Sequence, residues 1–338
     1  MKKITSEKSL FKKLLFFFNG VNIFLIFICL ILFYFYDPFL SHISFLTFLF
    51  PIFYLFNIIF LIYWIVKIDF RCVFSLLVLV FLHYNSFSIF NFNQNDENFD
   101  HKFHLMSFNV RLFNHYNWIE NKNIPSELRE FFNIQSPDVV AIQEYHRDYK
   151  EVVDGFKYNY VYFSNSNSGK SIHSNKEIVG KGVVNFSNSN SNAIYIDVVT
   201  YLDTIRVYNA HFESYKIDVP SLKANASSLD SFLTKTKYAY EFQENQLVDL
   251  LNHMEKSPYM VMLAVDLNNT PHSYVYRKIN EKYNDLFRIK GSGFGTTYAL
   301  NFIPFRIDYL FTSKTILSKK FKTHNVEFSD HKPISGYF

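Results

Sequence analysis

Eight polar side chains after residue 100 stand at or near the ends of short apolar runs, and their types suit one kind of chemistry. They are carboxylates, amides and imidazoles: Asn109, Glu144, His211, Asp266, Asn268, Asp308, Asp330 and His331. Loops at strand ends hold reactive groups exposed on a rigid frame. Any one acid after a strand is more often a turn or helix cap. The hypothesis of a site therefore depends on the whole set.

The oxygen donors in this set are hard ligands. The carboxylates of Glu144 and Asp330 and the amide of Asn109 suit Mg²⁺ or Mn²⁺, which also keeps waters and accepts substrate phosphate. Two histidines and a further carboxylate beside such an ion would supply donors to a phosphoryl oxygen and a partner for attacking water. Zinc would be expected to recruit more His or Cys. The mixture indicates metal-assisted hydrolysis of a phosphoester.

Apolar runs of strand length predict the elements that must position these side chains. The runs cover residues 103–110, 138–144, 178–186, 193–201, 204–210, 259–265, 306–311, 321–328 and 333–338. Helices are predicted at 125–135, where Pro125 stands near the start, at 272–281, and in the second half of 222–256. Many strands with few helices indicate an α+β layered domain. The Asn/Ser-rich segments 164–174 and 187–192 predict surface loops.

Composition excludes several classes of protein. A chain of 338 residues that is 49% hydrophobic is not disordered. The net charge of +4 comes from the first 90 residues, and the remainder is neutral, which weakens the case for a basic nucleic-acid-binding domain. Cys29 and Cys72 are the only cysteines, so a disulfide framework and a cysteine-rich zinc site are excluded.

The first 90 residues predict a membrane anchor. Three runs without charge, at 14–36, 43–66 and 72–90, approach or exceed the roughly 20 residues that cross a bilayer as a helix. His83, Asn85 and Ser88 make the end of the third run polar, so that span could end early or lie at the interface. A cleaved secretory signal is the alternative for the first run, which is too long and lacks a small-residue cleavage site. Residues 91–101 are predicted as a tether and 102–338 as the catalytic domain.

Basic residues set the expected orientation, because short cytoplasmic loops are enriched in Lys and Arg. They precede the first run or lie between the second and third: Lys2, Lys3, Lys8, Lys12, Lys13, Lys67 and Arg71. The loop between the first two runs contains Asp37 and His42. Three spans would then place the catalytic domain on the outer side of a bacterial cytoplasmic membrane. A part after residue 90 without cysteine fits that oxidising exterior.

Five motifs in order resemble those of the endonuclease/exonuclease/phosphatase superfamily with the DNase I-like fold. They read MSFNVR, AIQE, YNAHFE, VDLN, and RIDYLF followed by FSDHKP, and the resemblance extends over residues 103–338. It implies a four-layer α/β/β/α sandwich preceded by the transmembrane helices. It also implies a divalent-metal-dependent phosphoesterase of the phosphodiesterase, phosphatase or nuclease class, with Mg²⁺ as the cofactor and Mn²⁺ as a substitute.

The resemblance assigns the metal site. Glu144 would be the principal ligand, and Asn109 and Asp330 would complete or support the site. Arg111 stands where some members of the family have a further acid. This departure favours one metal, or an arginine contact to phosphate.

The resemblance also assigns catalytic roles. Asp266 would activate or orient the attacking water, and Asn268 would hold the phosphate. His211 and His331 would donate to phosphoryl oxygens as negative charge builds, and Asp308 would fix the tautomer of His331.

Two further departures lie in the VDLN motif, where Val265 replaces the usual Gly and Leu267 a common Phe. Both are apolar and compatible with a strand. The alternative function is a catalytically impaired phosphate- or nucleic-acid-binding module in which Val265 has spoiled the loop that positions water. The segment Thr296 to Tyr298, after GSGFG, is similar to a family loop near the active site.

Other histidines and cations are expected to be ordinary surface groups. The histidines without a motif context are His146, His173, His253, His272 and His324. The scattered cations expected on a solvated face are Lys170, Arg277, Arg288, Lys290 and Arg306. The substrate could be a lipid headgroup, a small phosphoester or nucleic acid. The neutral catalytic domain and its tether to the bilayer favour the first two, because nucleic-acid binding usually gains affinity from a basic surface.

Overall fold

The computed structural model describes residues 2–84, 89–93, 100–164, 166–187, 189, 191–201, 203–215, 226–300 and 303–338. The chain divides into two compact units, one of Met1–Ile89 with His272–Tyr274 and the other of Phe90–Pro271 with Val275–Phe338. The expected tether at 91–101 lies partly outside the described residues, which omit 94–99.

The N-terminal unit is built from three apolar helices, α1 (Lys2–Tyr34), α2 (Leu46–Val66) and α3 (Cys72–Tyr84). Among the described residues, the two segments Leu10–Tyr34 and Leu46–Val66 are long and apolar enough to cross a membrane. The 13-residue α3 spans only about 20 Å, against roughly 30 Å of hydrocarbon. The predicted third run is therefore helical to Tyr84, just after the polar His83, and residues 85–88 lie outside the described part of the chain.

Buried polar side chains join these helices. The Asn57 side-chain amide donates to the carbonyl of Ser75 (3.0 Å), and the Ser75 hydroxyl donates to Oδ1 of Asn19 (3.1 Å). The Asn22 amide donates to the carbonyl of Phe53 (3.1 Å). Such bonds satisfy polar groups that packing has removed from solvent. The three helices therefore pack as a unit rather than as independent apolar segments.

Basic residues of the N-terminal unit gather at one end of it. The Arg71 guanidinium donates to the carbonyl of Lys12 (3.4 Å), and Nζ of Lys12 lies 3.7 Å from a carboxylate oxygen of Asp69. The basic segment before the apolar part of α1 and the connection between α2 and α3 thus lie side by side.

The chain after residue 90 alternates strands with a few helices. Its strands are β1 (Asn91–Phe92), β2 (His104–Asn109), β3 (Val139–His146), β4 (Tyr158–Phe163), β5 (Ser168–Ser174), β6 (Ile178–Asn185), β7 (Asn192–Val199), β8 (Thr204–His211), β9 (Met260–Asp266), β10 (Asn284–Asp285), β11 (Ser292–Gly293), β12 (Tyr298–Leu300), β13 (Ile303–Phe305), β14 (Asp308–Thr312), β15 (Lys320–Thr323) and β16 (Ile334–Tyr337). Its helices are α4 (Ile124–Gln135), α5 (Ala226–Glu255), α6 (Tyr274–Lys282) and α7 (Leu286–Lys290).

Within the described residues, these strands form two six-stranded sheets and two small pairs, β1–β11 and β12–β13. The first sheet has the order β15-β16-β2-β3-β5-β4, and the second has the order β10-β14-β9-β8-β7-β6. Each sheet contains a parallel pair, β2 with β3 in the first and β8 with β9 in the second.

The main core lies between the sheets. Leu105 and Ala141 of the first sheet belong to the same buried cluster as Ile196 and Val207 of the second. On the outer face of the first sheet, buried side chains of α4 pack in a second cluster with residues of β2 and β3. Burial of a Leu, Ile or Phe side chain contributes about 1.5–3 kcal/mol. The two sheets lie between helices, as in the DNase I-like fold, so the predicted α+β layered architecture is confirmed.

One predicted loop is wrong. Residues 164–174 contain β5, which pairs with both β3 and β4, and β4 itself was not predicted. The polar composition of β5 conceals it, because Ser171, His173 and Ser174 are buried in the fold. Helix α5 also extends further than predicted, since it begins at Ala226, and residues 222–225 lie outside the described part.

Several groups expected at the surface are buried. Four of the histidines without a motif context are buried: His146, His173, His272 and His324. Arg306, expected on a solvated face, is also buried and pairs with Asp285 at 2.7 Å. A buried polar side chain usually has a partner, and those of His324 and Arg306 are Ser335 and Asp285, 11 and 21 residues away. Local sequence therefore does not reveal the burial.

Candidate active site

The two parallel strand pairs bring the predicted site residues to one edge. In β2 and β3, Asn109 lies in register with Gln143, and in β8 and β9, His211 lies in register with Asp266. Parallel strands end on the same side of a sheet. Strand β14 runs antiparallel to β9 and places its first residue, Asp308, opposite Asp266.

An irregularity in β3 presents Glu144. The pairing of β3 with β5 shifts register between Ile142 and Tyr145, and Glu144 between them has a left-handed backbone with φ of 51°. A bulge of this kind redirects a side chain. Tyr145 stays in the core, whereas Glu144 reaches the cleft and accepts a hydrogen bond from the Asn109 side-chain amide (3.1 Å). The left-handed backbone of Glu144 therefore directs the side chain of this predicted metal ligand into the cleft.

Asn109 connects two carboxylates that are distant in sequence. Its Nδ2 donates to Oε1 of Glu144 (3.1 Å) and to Oδ2 of Asp266 (3.0 Å). Its Oδ1 accepts a hydrogen bond from the backbone amide of Arg111 (3.0 Å), which sets the orientation of the side chain. In this geometry Asn109 positions the two carboxylates. Its direct ligation of a metal stays a prediction.

His331 lies between two acids. Its Nδ1 is 2.9 Å from Oδ2 of Asp308, and its Nε2 is 3.9 Å from Oδ2 of Asp266. Burial favours the neutral ring, but the charges of Asp308 and Asp266 prevail and raise the pKa of His331 to about 10. The expected contact between Asp308 and His331 is present. The ring is therefore a cationic hydrogen-bond donor at neutral pH.

Asp266 is fully buried at the bottom of the site. Burial, together with the neighbouring Asp308 carboxylate, raises the pKa of Asp266, and the imidazoles of His331 and His211 oppose that shift. A carboxylate of raised basicity accepts a proton more readily. This environment suits the predicted role of Asp266 toward an attacking water.

His211 differs from His331 in its charge. Its Nε2 lies 3.5 Å from Asp266 and 3.9 Å from Glu144. Burial lowers the pKa of His211 to about 4, although the Asp266 carboxylate opposes the shift. The site thus holds one neutral and one cationic imidazole.

A polar cleft of about 440 Å³ opens beside these groups. Five predicted site residues and one further side chain are among those that line it: Glu144, His211, Asn268, Asp330, His331 and Tyr298. The other three predicted residues, Asn109, Asp266 and Asp308, are buried. Five of the eight predicted residues therefore line the cleft, and the other three form a buried polar layer that supports them.

The VDLN segment keeps its geometry in spite of Val265. Val265 is buried in β9 and lies in register with Tyr309, as an ordinary strand residue. Asn268 has a left-handed backbone with φ of 47°, and its amide nitrogen donates to Oδ1 of Asp266 (2.8 Å). The Asn268 side-chain amide donates to the carbonyl of Phe212 (3.0 Å). Its contact to phosphate stays a prediction.

The segment after GSGFG lies at the site. The Tyr298 ring is 4.8 Å from that of His331. The Thr297 hydroxyl accepts hydrogen bonds from the backbone amides of Ile307 (3.1 Å) and Asp308 (3.2 Å). Thr297 therefore fastens the start of β14, which carries the carboxylate beside His331.

Sequence reasoning missed a polar connection between the sheets. Nε2 of Gln143 donates to Oδ1 of Asn209 (2.7 Å), and Nδ2 of Asn209 donates to the carbonyls of Ile142 (2.8 Å) and Ser171 (2.9 Å). Gln143 directly precedes Glu144, and Asn209 stands two residues before His211. Polar residues in otherwise apolar strands were the available signal. Their connection holds the two halves of the site together.

Cations also flank the site. Nη1 of Arg111 lies 3.1 Å from Oδ2 of Asp330. Burial lowers the pKa of Lys170, which was expected on a solvated face, to about 8, and the Glu144 carboxylate opposes that shift. Positive charge therefore stands near Glu144 and Asp330, two of the carboxylates that line the cleft.

The family match covers the same residues as the site. Residues 106–331 match the model of the Endonuclease/Exonuclease/phosphatase family. The chain belongs to this family. The resemblance carried by the five motifs is thereby confirmed, and the members of the family are hydrolases of phosphoester bonds. No curated protein matches the sequence.

Solved structures of family proteins share the fold at low identity. A humanized D. rerio TDP2 carrying 14 mutations is 16% identical with a TM-score of 0.53, covering 70% of this chain and 98% of that chain. A Bacteroides vulgatus endonuclease/exonuclease/phosphatase is 12% identical with a TM-score of 0.55, covering the same shares. The human Nocturnin catalytic domain with bound sulfate is 15% identical with a TM-score of 0.50, covering 70% and 92%. These likenesses show the fold.

Proposed function

We propose that this chain is a membrane-anchored, divalent-metal-dependent phosphoesterase that hydrolyses its substrate by attack of water. The observation that carries the proposal is the double hydrogen bond of Asn109. This amide joins Glu144, 35 residues away, to Asp266, 157 residues away, at the side of a polar cleft. These residues are far apart in the sequence, so local structure does not explain their contact. The fold brings together groups whose chemistry is complementary.

The donor set fits a hard divalent cation. Glu144 and Asp330 line the cleft with side chains 33% and 25% exposed, which leaves space for an ion that keeps several waters. Atoms of Asp266, Asp308 and His331 also lie within 4.8 Å of one another. We place the metal at Glu144 and Asp330, because these carboxylates line the open cleft, whereas Asp266, Asp308 and His331 are all buried.

Each of the chain's own site residues would have a separate role in hydrolysis. Asp266 would accept a proton from the attacking water, since burial raises its basicity. His331, held cationic by Asp308, would donate to a phosphoryl oxygen, and neutral His211 would donate a second hydrogen bond. Asn268 would hold the phosphate. When bound, Mg²⁺, or Mn²⁺ in its place, supplies Lewis-acid stabilisation of the charge that develops on the phosphoryl oxygens.

The decisive experiment uses the full chain in detergent with a panel of phosphoesters, with Mg²⁺ and with Mn²⁺. We expect turnover that chelation abolishes and that Glu144→Gln lowers by at least about 100-fold. Glu151→Gln, which alters an exposed carboxylate outside the site, should retain wild-type turnover. Metal-dependent stabilisation without turnover on any substrate would instead favour the impaired binding module.

The anchor proposal assigns residues 1–90 to the bilayer, 91–101 to a tether and 102–338 to catalysis. The apolar side chains Phe17, Phe24 and Ile62 are each more than half exposed, as lipid-facing groups are. The adjacent Lys12 and Arg71 would mark the cytoplasmic end. Residues after 101 would then lie outside the cell if the third run completes a crossing, and inside if it does not.

Protease treatment of sealed spheroplasts tests the side. We expect cleavage after residue 101 without lysis, together with retention of residues 1–90 in the membrane pellet after alkaline extraction. Protection of the catalytic domain would place it in the cytoplasm. Release of the intact chain by alkali would contradict the anchor.

A further inference from the structure

An exposed group of aromatic rings lies in the segment that follows β2. His115, Tyr116 and Trp118 form what we term the aromatic shelf. The Tyr116 and Trp118 side chains are 64% and 43% exposed. Their ring centroids are 5.2 Å apart, and the rings of His115 and Tyr116 are 4.9 Å apart. The shelf is not part of the hydrolytic machinery described above.

One arginine connects the shelf to the cleft. The guanidinium carbon of Arg111 lies 4.5 Å from the centroid of the Trp118 ring. At the same time, Nη1 of Arg111 lies 3.1 Å from Oδ2 of Asp330, which lines the cleft. The side chain of Arg111 therefore spans the distance between the cleft and the shelf. A group attached to a phosphoester in the cleft can reach the aromatic rings on the other side of this arginine.

The backbone that carries this arrangement is strained. Arg111, Leu112, Phe113 and Asn114 have consecutive left-handed φ angles of 43°, 54°, 55° and 60°. None is glycine, and the left-handed conformation is sterically unfavourable for residues with a Cβ atom. Conformations of this kind persist only where surrounding contacts hold them, and they cluster at functional sites.

Contacts of Phe113 and Asn114 hold the strained turn. Phe113 is buried in the core against the ring of Tyr145, at a centroid distance of 5.5 Å. Nδ2 of Asn114 donates to the carbonyls of Ile119 (2.9 Å) and Asn121 (3.2 Å), which closes the segment containing the shelf. The rings are therefore held in place before any ligand arrives.

We propose that the aromatic shelf binds a nucleobase of a small nucleotide phosphoester, next to the phosphate that the cleft receives. This inference rests on the proposed phosphoesterase function and names the class of its substrate. Bases stack on aromatic side chains and arginine planes regardless of sequence. A glycerol headgroup offers no flat ring to such a surface, and a cationic headgroup such as choline would meet the positive charge of Arg111, which already lies over the Trp118 ring. The catalytic domain is neutral, which suits a small ligand recognised by stacking rather than a long polyanion.

The test compares two substrates of equal charge on the full chain in detergent. One is a thymidine dinucleotide, and the other is its analogue with both bases replaced by hydrogen. We expect the wild-type kcat/KM to favour the base-bearing substrate by about 5- to 150-fold, the range for stacking of one base. A ratio near one in the wild type overturns the proposal, as does a preference for a phospholipid headgroup ester over both substrates.

Three variants test whether the aromatic shelf produces the preference for the base-bearing substrate. Trp118→Ala should bring the ratio close to one, and Trp118→Phe, which keeps a flat ring, should retain most of it. Tyr259→Ala is the matched control, because Tyr259 is also exposed and lies 5.9 Å from an arginine, Arg206, outside the site. That control should leave the ratio unchanged. An undiminished ratio in Trp118→Ala would show that another surface reads the base.

Failure of the two proposals is distinguishable. If the wild type hydrolyses no phosphoester, the proposed function fails, and calorimetric binding of the same two ligands then tests the shelf by itself. Tighter binding of the base-bearing ligand that Trp118→Ala removes would support the shelf. Equal binding of both ligands would overturn it.

Discussion

Two pairs of histidines have different environments in this fold. In the cleft, His211 and His331 lie beside the carboxylate of Asp266. In the first sheet, the rings of His104 and His324 share the hydroxyl of Ser335, at 2.9 and 2.8 Å. Burial lowers the pKa of His104 and of His324 to about 3 each, so this pair is neutral.

The comparison teaches that burial keeps a ring neutral unless a carboxylate is hydrogen-bonded to it directly. His211, whose Nε2 is 3.5 Å from Asp266, stays neutral because burial lowers its pKa to about 4. Burial favours the neutral form of all four rings, yet His331 stays protonated because Asp308 lies 2.9 Å from its Nδ1. A serine hydroxyl offers no such compensation. The same residue type is thus a cationic donor in His331, which pairs directly with Asp308, and a neutral hydrogen-bonding group in the pair within the sheet.

The largest expected effect comes from removing the shared carboxylate of the cleft pair. Asp266→Asn should lower kcat by about 10²- to 10⁴-fold, because the proposed proton acceptor for water is lost. Steady-state kinetics on a phosphodiester, with circular dichroism to confirm folding, measures this. Wild-type turnover in a folded variant would show that the carboxylate shared by the cleft pair does not contribute to catalysis.

The pair in the sheet should make stability depend on pH. The folded-state pKa values of His104 and His324 are about 3, below the ordinary value of 6.5. Between these values the unfolded chain binds more protons, so the free energy of unfolding should fall as pH falls from about 6.5 toward 3. Each ring should account for about 3 kcal/mol by pH 4, at 1.4 kcal/mol per pKa unit.

Urea denaturation of the full chain in detergent between pH 4 and 8 checks this dependence. His324→Gln should reduce it, because one titrating ring is removed. A midpoint that does not change over this range would show that the rings are not held neutral by the fold.

Asp308→Asn should have a smaller effect on the cleft. The substitution leaves His331 in place but removes its charged partner, so kcat should fall by about 10- to 100-fold while KM changes little. Asp197→Asn is the matched control, since Asp197 is a strand carboxylate that pairs with Arg206 at 2.6 Å, outside the cleft. A larger loss in the control would assign the effect to folding.

The smallest expected effect is that of Ser335→Ala. The loss of one hydroxyl leaves His104 and His324 without this partner and should lower the free energy of unfolding by about 1–3 kcal/mol. Activity should stay at the wild-type level, because these rings lie outside the cleft. Ser166→Ala, at an exposed serine, provides the control. A loss of turnover would show that the two pairs are coupled.

Local pattern revealed much of the scaffold. Apolar runs of strand length place β2 and β9 within one residue of their observed bounds, and Pro125 marks the beginning of α4 correctly. The failures share a cause. Strand β5 is polar in sequence and becomes a strand because β3 and β4 pair with it on both sides.

The sequence by itself determined which residues are candidates for the site, because acids, amides and imidazoles at strand ends form ordered motifs from Asn109 to His331. Only the tertiary structure decided what each of them can do. The bulge that aims Glu144, the bridging amide of Asn109 and the charge of His331 all depend on neighbours that are distant along the chain. Electrostatic and hydrogen-bond energies are functions of separation in space, and that separation exists only once the two sheets have packed.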